Sequence, residues 1–360
     1  MHPATAPRDD RSDTRLLAVD RRSGALRDVG ITDLADLLRP GDLLVVNDAA
    51  TLPASLRARR IADERSDLEL RLTGGPDDEP GLVRAALFGA GTWRSPTEQR
   101  PAPPVLAPGD VLELLAPDGH VPTDMSPVTA TVTAVDPRAP RLLTLRFDRH
   151  GAQLWAALYR LGRPVQYSYL GAALSLWSVQ TAFAARPWAA EMPSAGRPLS
   201  WSTLLGLRRR GVEIVALTHA AGLSSTGDPA LDALLPLPER YELPAETVAA
   251  IARTHTRGGR IIAAGTTVVR ALEGCLADHG ALRPGHGETS LLLHADFVPQ
   301  IVDGLLTGMH DPSESHFHLL RAFASEPVLL AAWRHANAGG YLQHEFGDAT
   351  LLAPDLPLSA

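Results

Sequence analysis

The chain contains no lysine. All 34 of its basic side chains are arginine, set against 41 aspartates and glutamates, for a formal net charge of -7. Without lysine there is no phosphate-binding loop of the G-x-x-x-x-G-K-[ST] kind, and no G-x-G-x-x-G replaces it. A single cysteine, Cys275, excludes a disulfide framework and a cysteine-based zinc site within the chain. No run approaches the roughly 20 apolar residues that a membrane helix requires. The N-terminal segment "MHPATAPRDDRSDTR" lacks the apolar core of a signal peptide, so a cytoplasmic protein is expected. The acidic balance argues against indiscriminate nucleic-acid binding. It leaves room for a local arginine patch that docks a folded RNA.

What is present reads as a folded chain of 360 residues, 45% hydrophobic and 21% charged, enough for one large domain or two ordinary ones. "RLLAVDRRSGALRDV" reads as strand, turn, strand. "TDLADLLRPGD" reads as a short helix capped by Thr32 and stopped at Pro40-Gly41, and "DLLVVND" as a buried strand ending in Asn47 and Asp48. From 61 to 149 short β-prone runs such as "DLELRLT", "GDVLELLA" and "VTATVTAV" alternate with Gly/Pro turns, which predicts an inserted antiparallel β-barrel. Beyond 150 helical and strand patterns alternate. "LSWSTLLGLRRRGVEIVALTH" and "PAETVAAIARTHTRGGRIIAAG" each read as helix, glycine stop, strand. The expected architecture is a mixed α/β domain made of 1–60 and 150–360, with the barrel, 61–149, between its two parts.

The segment "GGRIIAAGTTVVRALE", Gly258 to Glu273, places Gly265 where a strand ends and a helix begins. Unpaired amides and the positive end of the helix dipole make such a joint suitable for a carboxylate, a phosphate or ribose hydroxyls. Thr266 or Thr267 can cap it. A well-capped helix after a tight turn is the plainer alternative, with Arg270 and Glu273 as an ordinary surface pair at i and i+3.

Several stretches in the same order resemble the S-adenosylmethionine:tRNA ribosyltransferase-isomerase family of queuosine biosynthesis. These are "LLAVDRRSG", "DLADLLRPGDLLVVNDAATLPASL", "SVQTAFA", "MPSAG", "GVEIVALTH", "ERYELPAET", "RGGRIIAAGTTVVRALE", "GHGETSLLL" and "VDGLLTGMHDP". The resemblance spans most of the chain and is weakest over 60–150. It implies transfer of the ribosyl part of S-adenosylmethionine, as co-substrate, to 7-aminomethyl-7-deazaguanine in the anticodon region of tRNA, with no metal. It also implies His219, Glu239 and His310 as acid/base groups. Asn47, Asp48, Ala195, Gly196, Gly265, Thr266, Thr267 and Arg270 are the residues implied to hold the co-substrate, Arg270 through a carboxylate or phosphate.

Departures fall in the polar segments. The family's Asn-Asp-Thr-Arg is "NDAA" here, its Thr-Ala-Gly-Leu-His-Phe is "SAGRPL", and its Met-His-x-Glu is "PLPE", with Leu237 in place of the histidine. They keep two alternatives open: a transferase or lyase that uses S-adenosylmethionine on a small-molecule acceptor, or a non-catalytic descendant. Trp177, Trp188 and Trp201 are expected mostly in the core, with one available to stack on a base.

Overall fold

The computed structural model describes residues 1–75 and 81–358. Four short apolar runs make the centre of the main sheet: Glu213–His219, Leu43–Asn47, Ile261–Ala264 and Gly304–Gly308, side by side and all parallel. Their sequences are nearly continuously apolar because both faces are covered. Leu43 and Val45 point to one core with Ile261, Ala263 and Leu305. Leu44 and Val46 point to the other with Ile262, Ala264 and Leu306. Helices Ala245–Thr256, Thr266–His279 and Glu326–Ala338 cover the first face, and helix Trp201–Arg209 covers the second.

Further strands extend both edges, each antiparallel to its inner neighbour except Arg15–Asp20, which pairs parallel with Ala349–Ala353. Glu239–Leu243 and then Gly285–Thr289 lie beyond Glu213–His219. Ala349–Ala353, Arg15–Asp20 and Leu26–Gly30 lie beyond Gly304–Gly308.

The second body is a closed antiparallel barrel. Its strands run Ser55–Arg60, Asp63–Leu72, Leu82–Phe88, Leu142–Phe147, Thr129–Val135 and Val111–Leu114, and the last pairs back onto the first. Alternate residues such as Leu56, Ala58, Leu68, Leu70, Leu112 and Leu114 fill it. Helix Gly151–Leu161 buries Leu154, Leu158 and Leu161 in the same cluster and leads the chain back to the main sheet.

Some local expectations are corrected. Thr32 caps nothing: a 3-10 turn, Ile31–Asp33, precedes the short helix Leu34–Leu37, and Asp33 accepts the amide of Gly30 at 2.9 Å. The apolar-periodic segment "HFHLLRAFASEPVLLAAWRHAN" is not one helix but two, Ser315–Leu320 and Glu326–Ala338, with Pro327 in the first turn of the second. Trp177 and Trp201 are 83% and 61% exposed, so they are not core residues, and Trp188 lies under the guanidinium of Arg240. Among the described residues no helix is long and apolar enough to cross a membrane.

Candidate active site

The four parallel strands end at one edge of the sheet, the place where open α/β sheets bind ligands. Parallel pairing with a common register therefore delivers Asn47, His219, Gly265 and the Gly308–His310 segment to that edge. Asn47 ties the first two strands together. Its Oδ1 accepts the amides of His219 and Ala49 at 2.9 and 3.0 Å. Its Nδ2 donates to the carbonyl of His219 at 2.9 Å and to Thr267 Oγ1 at 3.3 Å. These bonds use the amide's donors and acceptor, so Asn47 positions His219 and Thr267 rather than offering itself to a ligand.

Glu239 begins the antiparallel strand beside His219 and is 7% exposed. Oε1 accepts the amide of Gly222 at 2.6 Å, and Oε2 accepts Nη1 of Arg270. The imidazole Nε2 of His219 lies 3.4 Å from the same Oε2. Arg270, from the second turn of helix Thr266–His279, also donates Nε to the carbonyl of Leu291 at 2.9 Å. Among the described residues Arg270 Nη2 and both ring nitrogens of His219 have no hydrogen-bond partner, although all are buried. Arg270 and Glu273 are thus no surface pair. Glu273 turns away and accepts the amides of Gln300, Ile301 and Val302 at 2.9–3.1 Å.

Burial reverses the usual order of proton affinities. His219 is fully buried beside a guanidinium, and both effects favour the neutral ring, with its pKa pushed down to about 3. Burial pushes the Glu239 carboxyl up, against the opposing pull of Arg270 and the Gly222 amide. The carboxylate is therefore the stronger base of the pair, and the imidazole stays neutral.

Gly265 has φ +100°, and a Cβ there would lie 3.3 Å from the Cβ of Ala195. The turn Ser194–Gly196 thus packs onto the start of the helix, which brings Ala195 and Gly196 to the site. Gly265 itself is the N-cap, and neither Thr266 nor Thr267 caps the helix. Both threonines remain half-exposed at its mouth. Asp48 accepts the hydroxyl of Thr218 at 2.6 Å, and burial raises its pKa.

His310 stands apart from this network. Two strands separate it from His219, about 14 Å at the usual spacing between strands. Its Nε2 lies 3.1 Å from Thr307 Oγ1 and its ring stacks on His316 at 5.3 Å. Burial, with His316 and His344 nearby, lowers its pKa to about 3.

Four further polar groups border the site without any motif to announce them. The Tyr167 hydroxyl donates to Glu191, the Ser224 hydroxyl donates to the other oxygen of Glu191 at 2.7 Å, and Arg71 of the barrel lies over the Tyr167 ring. The only available signal was Glu191's place just ahead of "MPSAG".

A family model described as Queuosine biosynthesis protein matches residues 2–352. The chain is 36% identical to an S-adenosylmethionine:tRNA ribosyltransferase-isomerase of Acidithiobacillus ferrooxidans, covering 98% of this chain and 94% of that one. It is 34% identical to the enzyme of the same name from Thermus thermophilus, over 89% and 87% of the two chains. In fold it is similar to the crystal structure of an S-adenosylmethionine tRNA ribosyltransferase from Thermotoga maritima. That likeness has a TM-score of 0.51 at 23% identity, with 97% and 95% of the chains covered. A match of this extent, over both the parallel sheet and the barrel, means that the chain belongs to the queuosine biosynthesis protein family.

Proposed function

We propose that this protein is an S-adenosylmethionine:tRNA ribosyltransferase-isomerase. It transfers the ribosyl part of S-adenosylmethionine to the amine of 7-aminomethyl-7-deazaguanine in the anticodon region of a tRNA, in the cytoplasm. The α/β body holds the co-substrate, and the inserted barrel, which begins with strand Ser55–Arg60, faces it. The observation that carries this reading is the buried Glu239, set between a guanidinium with an unfilled donor and a neutral imidazole at the ligand-binding edge of the sheet.

The chemistry calls for such a group. A sulfonium acidifies the carbon beside it, and Glu239, made more basic by burial, takes that proton. Protonation of adenine lets it leave. The carbon–sulfur bond breaks to release methionine, and the acceptor nitrogen bonds to the ribosyl carbon as the epoxycyclopentane forms. Arg270 keeps Glu239 ionised and turns Nη2 toward the methionine carboxylate. Thr266, Thr267 and the amides of the first helical turn meet the ribose, and Gly265 and Ala195 close the turn against it. Neutral His219 supplies one donor and one acceptor beside the reacting carbon.

The test is incubation with S-adenosylmethionine, following adenine and methionine by mass, with tRNA that carries the aminomethyl base and with tRNA that lacks it. Release with the first tRNA alone is expected. Equal release without any tRNA overturns the assignment in favour of a small-molecule acceptor.

A further inference from the structure

The groups bordering the Glu239 site form a polar cluster of their own. The Glu191 carboxyl is half-buried, and the hydroxyls of Tyr167 and Ser224 donate to its two oxygens. A carboxylate has about four acceptor positions, so positions remain for a ligand. Arg71 is 1% exposed. Its Nε is held by Glu69 at 2.8 Å and its Cζ sits 5.6 Å from the centre of the Tyr167 ring. Its Nη1 is buried with no partner among the described residues. Behind Tyr167 the rings of Tyr169 and His344 continue a parallel stack, with centroids 6.1 and 4.4 Å apart and planes within 12°.

One loop couples this cluster to the reacting end. Ala221 accepts the amide of Ala190 at 2.7 Å, Gly222 donates to Glu239, and Ser224 donates to Glu191. A ligand lying on Glu191 is therefore next to whatever lies on Glu239.

The charges decide what kind of ligand fits. Glu191, Glu239 and Glu345 all act on this region, and Arg71 is already engaged by Glu69. A phosphate is repelled there. A neutral ring with adjacent N–H donors and a carbonyl is the complement of a carboxylate beside a guanidinium N–H. A base turned out of the RNA presents such an edge, and aromatic planes are its usual support. We infer that Glu191, Tyr167 and Arg71 form the acceptor-base pocket: Glu191 accepts the ring and amino N–H groups of a guanine-type edge, and Arg71 Nη1 donates to its carbonyl. The burial that pushes the Glu191 carboxyl up is relieved when those N–H groups arrive.

This inference rests on the reaction proposed above, and its test separates the two. Two anticodon stem-loop RNAs are compared by binding, one carrying 7-aminomethyl-7-deazaguanine and one carrying adenine at the same position. The wild-type chain prefers the first, and Glu191→Gln weakens it about tenfold or more while adenine RNA and S-adenosylmethionine bind as before. Tyr167→Phe, which keeps the ring and frees one carboxylate oxygen, weakens the first RNA about threefold. That milder variant decides the matter should Glu191→Gln fail to fold. An unchanged preference in the folded variants overturns the pocket, as does equal weakening of both RNAs. Turnover by the wild type with that outcome leaves the reaction standing and removes the pocket alone.

Discussion

The stretch Gly258 to Glu273 places a buried arginine at each end of the parallel sheet, and the two are held differently. At the start of strand Ile261–Ala264, Arg260 gives Nε and Nη2 to Asp42, the latter at 2.6 Å, and Nη1 to the carbonyl of Pro354 at 2.5 Å. Asp42 also accepts the amides of Arg39 and Arg260 at 2.8 and 2.9 Å. At the far end Arg270 pairs with Glu239, yet one of its donors and both nitrogens of the neighbouring His219 go unanswered. A buried polar atom left without a partner costs about 1–3 kcal/mol. The saturated pair is therefore a brace, and the unsaturated one is a place that a ligand completes.

This contrast breaks most easily at the brace. Arg260→Ala leaves Asp42 buried and uncompensated, and a loss of about 3–5 kcal/mol is expected in urea denaturation. If the variant denatures like the wild type, the brace is no brace. At the other end Glu239→Gln keeps the shape and removes the base. Turnover is expected to fall about a hundredfold or more in protein that circular dichroism shows to be folded, while the denaturation midpoint also falls because Arg270 loses its buried counter-charge. Retained turnover would sink the assignment of the base.

The His219 ring sharpens the difference through pH. Its folded pKa of about 3 lies below the ordinary 6.5, so the unfolded chain binds more protons between those values. Its contribution to stability is complete above pH 6.5 and is lost as pH falls toward 3. From pH 6.5 to 5 that amounts to about 2 kcal/mol at most. His219→Gln should flatten the wild-type slope over this window, measured by denaturation at each pH. His310, partly buried with its pKa also lowered, supplies a background slope that both proteins share. The smallest effect is expected for Gly265→Ala. A residue at φ +100° whose Cβ meets Ala195 costs about 1 kcal/mol or more, seen in the melting temperature together with weaker S-adenosylmethionine binding.

The central strands were legible because burial on both faces leaves them almost wholly apolar, as in "LLVV" and "IIAA". The barrel showed in its alternating runs, but its strand Ser55–Arg60 went unread. "SLRARR" offers only Leu56 and Ala58 to the interior, and its arginines face outward. The threonines after Gly265 looked like caps, and the backbone used the glycine instead. Glu239 taken alone looks like a solvated charge, and only the family resemblance raised it to a candidate. The departure at Leu237 has a structural account: that side chain is buried against the barrel core. Apart from Glu191's place ahead of "MPSAG", nothing local marked Tyr167, Glu191, Ser224 and Arg71, since they converge from four separate segments.

Periodicity, turn glycines and apolar runs are properties of neighbours along the chain, and from them came the α/β order, the barrel and the glycine joint at the helix start. The proton affinities at the site are not of that kind. Whether a carboxylate is a base depends on the water it has lost and on the charges packed beside it. For Glu239 those come from Arg270, Gly222 and His219, and the His219 strand is itself held by Asn47, distant in the chain. Parallel pairing brings them to one edge, and until it does, none of these residues differs from its counterparts on the surface.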